Sequence, residues 1–402
     1  MAGAEASRTV KFVQRRNEIL ETGCELINVH GVRGMTLTAV ARALGLDTSS
    51  VTYYFKRKDL LAAACIARTV DWHAGVADRA ARESDPRSRV RRFLGEHIDL
   101  FRRQRDPAVR PLALLSDMRS LDDETRAPLD ATYIRMLQTV RGFFAAGPGR
   151  KERDHAALAT VLLVNTIHWL PAWQERYLAE DLDRVEERLF DLLEHGLAPD
   201  AAWPAGFEPL EPADPGDPQA RFLLAATDLI NRIGYHGASV ERIAGELGVS
   251  TGSFYHHIDN KDDLVVACFH RSFDLVRQAR RLAAEQGGSA GDQLARMLAN
   301  LVGHQLFGAG PMLRNSAYQA LPPDLRGAML QQTGQVTRHI AGCLADGVID
   351  GSLRRVDAVI AGHVVIAALN GAAELRRWTG DRDPAAVAAA YCDLLRRGLF
   401  RD

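Results

Sequence analysis

The sequence predicts an all-α protein built as a tandem duplication, each copy a three-helix helix-turn-helix domain followed by a larger helical domain. Three observations predict this. Apolar residues recur at helical spacing, with Leu37, Val40, Ala41 and Leu44, and likewise Val240, Ile243, Ala244 and Leu247, at i, i+3, i+4 and i+7. Alternating strand patterns with hairpin signals are absent. Shifting the chain by 203 residues lays Leu26-Ile27-Asn28 on Leu229-Ile230-Asn231 and holds register without a gap to Asp71 on Asp274. Within that stretch Gly31/Gly234, Gly34/Gly237, Leu44-Gly45/Leu247-Gly248, Lys58-Asp59/Lys261-Asp262 and Cys65/Cys268 are identical. The ends agree too, since Asp191-Leu192-Leu193 with Gly196-Leu197 answers Asp393-Leu394-Leu395 with Gly398-Leu399.

At 402 residues the chain is too long for one ordinary core. Hydrophobic residues at 47% and charged residues at 25% give the balance of a soluble globular protein. The longest apolar stretches, around 156–164 and 364–369, fall short of a membrane span, and no basic-then-apolar leader opens the chain, which points to the cytoplasm. Five cysteines stand singly with no CxxC pair and read as small buried hydrophobes rather than disulfides or zinc ligands. Net charge is −1, which argues against a uniformly basic coat and leaves local patches open.

The organisation follows in order. A first helix-turn-helix domain covers 8–60 and a helical domain 61–198. Pro199 to Gln219, with six prolines (Pro199, Pro204, Pro209, Pro212, Pro215, Pro218), reads as an extended polyproline-like linker that cannot be helical. The second helix-turn-helix domain covers 220–264 and its helical domain 265–402. Later helical periods are expected over Ser88–Arg103, Ala131–Phe144, Asp154–Leu170 and Val356–Arg376.

In the second copy Ser239 is placed to cap a helix that runs to Leu247, where Gly248 supplies a positive φ. Ser250 is placed to cap a second, short helix through His257, with Phe254 and Ile258 facing Ile243 and Leu247. Helix, three-residue turn with glycine, helix is the arrangement whose second helix enters a DNA major groove. The first copy repeats it: a helix Asn17 to His30 ends at Gly31, Thr36 caps, Val40-Ala41 and Leu44 pack, Gly45 turns, and Thr48 to Phe55 form the second helix before Lys58-Asp59 opens a fourth.

Both copies resemble the DNA-binding domain of the TetR family of transcriptional repressors. The second carries Gly237, Ser239, Ile243-Ala244, Gly248-Val249-Ser250, Gly252, Phe254-Tyr255, His257 and Lys261 of the family pattern. The first carries Gly34, Thr36, Val40-Ala41, Gly45-Leu46, Val51, Phe55 and Lys58, and departs from it with Asp47 for the capping Ser, Ser49 for Gly and Thr52 for Tyr. The resemblance implies that Thr36 and Ser239 donate to phosphate at helix starts. It places Thr48, Ser49, Ser50, Thr52, Tyr53 and Tyr54, with Thr251, Gly252, Ser253, Tyr255, His256 and His257, against base edges and phosphates of a double-stranded operator. Lys58 and Lys261 fall where a phosphate clamp is expected. For each single polar residue the alternative is a helix cap or solvated face.

Charge separates the two units. Met1 to Leu60 holds nine basic residues (Arg8, Lys11, Arg15, Arg16, Arg33, Arg42, Lys56, Arg57, Lys58) against six acids; Pro218 to Leu264 holds four (Arg221, Arg232, Arg242, Lys261) against six. Phosphate neutralisation supplies much of DNA affinity, so the first unit is expected to bind more strongly.

Other chemistry is weaker. Gly248-Val249-Ser250-Thr251-Gly252 satisfies G-x-S-x-G, but a hydrolase nucleophile needs a strand before it, and here a helix is expected. His256-His257 are adjacent and cannot clamp one metal alone, and no HExxH, Walker lysine loop or GxGxxG is present. No enzyme, metal or cofactor is therefore expected. Trp169 and Trp173, at i and i+4, fit core or bundle packing better than a ligand cage.

The resemblance further implies that about 68–197 and 271–399 are effector-binding and dimerisation domains. Apolar residues with isolated polar groups are the pocket candidates: Phe101, Met118, Tyr133, Met136 and His168, then His304, Met312, Tyr318, His363 and Asn370. The last two long helices of each copy, within 154–195 and 356–397, are expected to form a four-helix bundle as an intramolecular pseudo-dimer; a homodimer of whole chains is the rival. The resulting expectation is a cytoplasmic repressor released from DNA by a small apolar effector. The alternative is a ligand-binding or interaction module with one or both helix-turn-helix units no longer reading DNA.

Overall fold

A computed structural model describes the chain except residues 1, 107–108, 146, 199, 201, 204–205, 211–216, 253–259, 309, 315–316, 318–320, 322, 379–381 and 401–402. The described residues contain α-helices and short 3-10 turns and no strand, as the periodicity predicts. In the first copy these are α1 (Ala2–Gly34), α2 (Leu37–Ala43), α3 (Thr48–Tyr54), α4 (Lys58–Ala80), α5 (Pro86–Arg103), α6 (Asp123–Gly142), α7 (Arg150–Trp169) and α8 (Leu182–His195). The second copy carries α9 (Pro218–Gly237), α10 (Val240–Leu247), α11 (Lys261–Glu285), α12 (Ala290–Phe307), α13 (Pro323–Ile349), α14 (Ala358–Trp378) and α15 (Pro384–Arg397).

Several boundaries differ from the sequence expectation for local reasons. α1 begins near the N-terminus rather than at Asn17, and Gly31 (φ 69°) kinks it instead of ending it. α7 stops at Trp169, because Pro171 cannot continue a helix, and Leu170–Ala172 turn as 3-10. Trp173 therefore lies beyond the helix, and both tryptophans are buried. The linker is not wholly an extended spacer: Asp217 caps α9 and Pro218 sits in its first turn, where a missing N–H costs nothing. Leu210 is buried, Phe207 stacks on Phe307 at 5.3 Å, and the Glu208 amide donates to Asn300 Oδ1 at 2.7 Å. Phe207 and Glu208 of the linker thus lie against the second copy.

The first helix-turn-helix unit has its own core, in which Ile19, Cys24, Ile27, Val40, Val51 and Leu61 are buried together. The second unit's core, with Ile230, Ile243 and Leu264, is continuous with the larger helical domains. Each such side chain stabilises the fold by about 1.5–3 kcal/mol.

The two copies pack on each other within the one chain. α7 and α8 lie against α14 and α15, and Leu162, Leu192, Leu193, Val364, Leu394 and Leu395 meet at the centre. α14 is long and apolar enough to cross a membrane by length and composition, more than the sequence scan allowed, and most of it is buried inside the protein. At the ends of α8 and α15 the backbones cross reciprocally. The Leu197 amide donates to the Leu395 carbonyl at 2.9 Å, and the Leu399 amide to the Leu193 carbonyl at 2.7 Å. Gly196 (φ 63°) and Gly398 (φ 94°) permit the crossing, because a Cβ on either would meet the opposite backbone at 2.3 and 2.1 Å. Arg382 pairs with Asp154 at 2.9 Å and His155 Nε2 lies 2.8 Å from the Leu399 carbonyl, both between copies.

Candidate nucleic-acid interface

Cap chemistry builds both turns alike. Thr36 Oγ1 accepts from the Ala39 amide at 3.1 Å, and Ser239 Oγ from the Arg242 amide at 3.3 Å. Gly45 (φ 64°) and Gly248 (φ 66°) close the first helix of each pair. The Leu46 amide then reaches Ala41 O at 2.8 Å and the Val249 amide reaches Ala244 O at 3.0 Å, which satisfies the orphaned carbonyls. Asp47 stands at the start of α3 without a side-chain cap bond.

On α3, Thr48, Ser49 and Tyr53 are exposed, and Ser50, Thr52 and Tyr54 are half-exposed. Thr52 Oγ1 donates back to the Thr48 carbonyl at 2.8 Å, so its hydroxyl is occupied in this state. Lys58 is exposed with Nζ donating to the Arg33 carbonyl at 2.9 Å. In the second unit Thr251 and Gly252 are helical and exposed, while Ser253, Tyr255, His256 and His257, with Phe254 and Ile258, lie outside the described residues. Lys261 differs from Lys58: its Nζ sits 4.1 Å over the Tyr235 ring. Burial, with Arg33 of the first unit adding repulsion, holds its ammonium down at about 8.

Among the pocket candidates, Tyr133 and His168 stack at 6.1 Å, and Met136 is buried in the same core, against which Phe101 packs. Met118 packs instead on the first helix-turn-helix core. The structure adds two histidines that the sequence reading missed. His73 Nδ1 lies 2.9 Å from His97 Nε2, and His97 Nδ1 2.7 Å from the Phe93 carbonyl. Burial holds His97 down at about 4 and lowers His73 and His168 as well. In the second copy His304 Nε2 meets the Gly310 carbonyl at 3.1 Å, and Asn370 is half-buried; Tyr318 lies outside the described residues. His363 faces the first copy, stacked on Trp173 at 4.5 Å. Among the described residues no group of three His, Cys, Asp or Glu is placed to hold a metal ion.

The helix-turn-helix units are tied to the helical domains by a duplicated asparagine. Asn28 Nδ2 donates to the Leu112 carbonyl at 2.9 Å and its Oδ1 accepts from the Leu114 amide at 2.8 Å. Asn231 does the same with Met312 at 2.9 Å and Arg314 at 3.0 Å. Their identity at the 203-residue shift was the available signal. The second latch also joins the copies, because Arg119 of the first donates to the Asn231 carbonyl at 2.8 Å, and within the second copy Arg314 pairs with Glu374 at 3.3 Å. Glu374 and Arg119 in turn bear electrostatically on Tyr133 and His168.

Comparison with known proteins agrees with this architecture. The family model described as bacterial regulatory proteins, tetR family, matches residues 19–65 and again 222–268, and a tetracyclin repressor-like C-terminal domain model matches 287–399. The HTH-type transcriptional regulator BetI of Burkholderia cenocepacia (strain HI2424) is 32% identical over 87 residues, which is 21% of this chain and 45% of BetI. The chain thus spans about half the length of that curated relative. A tetR-family regulatory protein from Rhodococcus RHA1 is 23% identical, covering 46% of this chain and 98% of its own, with a TM-score of 0.38. FadR of Bacillus subtilis, solved in complex with stearoyl-CoA, is 18% identical, covering 44% and 97%, with a TM-score of 0.34. With the family's DNA-binding model matched twice and its C-terminal model matched in the second half, the chain belongs to the tetR family of bacterial transcriptional regulators, as a tandem of two units.

Proposed function

We propose that this regulator is a cytoplasmic repressor in which one chain does the work of a dimer. The observation that carries the reading is the reciprocal packing of α7 and α8 on α14 and α15, with backbone bonds exchanged at Leu197 and Leu399. Two helix-turn-helix units on one such body read two half-sites. Because Thr48-Ser49-Ser50-Val51-Thr52-Tyr53 differs from Thr251-Gly252-Ser253-Phe254-Tyr255-His256, the half-sites are unlike rather than palindromic. A small, mainly apolar effector bound in the helical domains releases the operator, and the buried core around Tyr133, Met136 and His168 supports that placement.

The second reading keeps the regulator but has the second unit contribute little DNA affinity. The packed Lys261 favours it, because an ammonium held over Tyr235 is not free to clamp a phosphate. Light scattering tests the first reading: a mass near 44.2 kDa supports it and a stable species of twice that mass refutes it. Mobility shift on the upstream region of its own gene, with each unit altered in turn, separates the two.

A further inference from the structure

The family match begins at residue 19, yet α1 starts at Ala2, nearly five turns further toward the N-terminus, with side chains exposed from Val10 to Arg15. Lys11, Phe12 and Arg15 fall within one turn and share a face. That face meets the second helix of the first helix-turn-helix. The Phe12 ring lies 4.8 Å from Tyr54 and 6.1 Å from Tyr53, and Tyr53 and Tyr54 lie 5.1 Å apart edge to face. Lys11, Phe12, Gln14 and Arg15 share an open cleft with Tyr53 and Tyr54, and Arg15 lines its continuation beside Leu46, Ser49 and Ser50. Glu18 is the one acid lining this cleft, paired with Arg15 at 2.6 Å across an exposed contact. An exposed pair is worth at most about 1 kcal/mol, so a phosphate competes for that guanidinium.

In the second copy the corresponding described helix, α9, starts at Pro218 and is capped by Asp217. At the 203-residue shift Lys11, Phe12 and Arg15 correspond to Asp214, Pro215 and Pro218. The basic residues and the Phe of this cleft are therefore not repeated in the second copy's sequence.

We propose that the N-terminal part of α1 is an additional duplex-gripping element. Lys11 and Arg15 hold the phosphate strand that borders the first half-site, and Phe12 braces Tyr53 and Tyr54 against it. This rests on the DNA-binding reading above and adds to it a footprint longer on one side than on the other. The chemistry is charge against backbone phosphate, so it raises affinity without reading sequence.

The test uses the full chain and a labelled duplex carrying the upstream region of its own gene, with binding followed by anisotropy between 50 and 200 mM salt. Each neutralised phosphate contributes a slope of about −0.9 in log affinity against log salt. The double variant Lys11→Ala/Arg15→Ala is expected to lose about two units of slope, which shrinks the affinity ratio across that salt range about 12-fold. Arg103→Ala/Arg135→Ala, exposed on α5 and α6 and of equal charge change, keeps the parent slope. Phe12→Ala weakens binding with the slope unchanged. Hydroxyl-radical protection should extend further outside one half-site and recede in the double variant. If the parent binds with steep salt dependence and the double variant matches it in slope and footprint, the proposal is overturned while the DNA reading stands. A parent with no salt-dependent binding overturns both.

Discussion

Gly196→Ala attacks the crossing of the two copies. Gly196 holds φ 63° and ψ −160°, a region that is nearly glycine-only, so the methyl costs about 1–3 kcal/mol before any contact is counted. The new Cβ would then stand 2.3 Å from the Arg396 carbonyl oxygen and 2.6 Å from the Arg397 nitrogen. Reaching ordinary van der Waals separation parts the backbones by about 1 Å. The bonds from Leu197 to Leu395 at 2.9 Å and from Ala198 to Arg396 at 3.0 Å are stretched beyond hydrogen-bonding range by such a shift. Each is worth about 0.5–1.5 kcal/mol, so the whole loss is about 2–6 kcal/mol. Gly45→Ala separates the contributions, because Gly45 shares the positive φ (64°) but a Cβ there meets nothing within 4 Å. Thermal unfolding by calorimetry and by circular dichroism is the assay. Gly196→Ala should melt several degrees below Gly45→Ala, and Gly398→Ala, its counterpart, should match it. Equal melting of Gly196→Ala and Gly45→Ala would refute the backbone-crossing account.

Lys58→Ala should weaken operator binding evenly across sequences and lower the salt slope by about one, checked by titration against duplexes of different sequence. Asn28→Ala and Asn231→Ala each strand a carbonyl and an amide of the facing segment; a loss of about 1–3 kcal/mol in urea unfolding is expected from each. His97 is neutral when folded and takes a proton readily only when unfolded, so its contribution is complete above about pH 6.5 and is lost as pH falls toward 4. Unfolding followed from pH 7 to 4 should show stability falling, by about 3 kcal/mol for this group alone, and His97→Leu should flatten that part of the curve.

What was legible in the sequence is what local chemistry decides. Thr36 and Ser239 cap because a hydroxyl at a helix start reaches an amide three residues on, and Gly45 and Gly248 turn because only glycine takes that φ freely. The repeat gave the two-copy plan. Contacts made across long separations were not legible. Asn28 meets Leu112 and Leu114 from 84 and 86 residues away, and His73 meets His97 from 24 away, so neither spacing leaves a period to read. His363 looked like a pocket residue of its own copy, yet its stacking partner Trp173 belongs to the other. The Phe12 cleft escaped because its apolar and basic residues precede the recognisable motif, and only the folded helix brings them beside Tyr53.

The reciprocal backbone bonds at Leu197 and Leu399 also carry a genetic consequence. In a two-fold assembly of identical chains every codon is expressed on both sides of the interface, so one substitution is suffered twice. Here the two sides are separate codons, and a change at Leu193 leaves Leu395 untouched. Drift is thereby halved in cost and freed from symmetry. The divergence is already visible: His73 stands opposite Val276 at the 203-residue shift, and only the second latch carries an arginine, Arg314, where the first has Leu114. Each half is free to accumulate its own signal and its own binding face while the other keeps the body together.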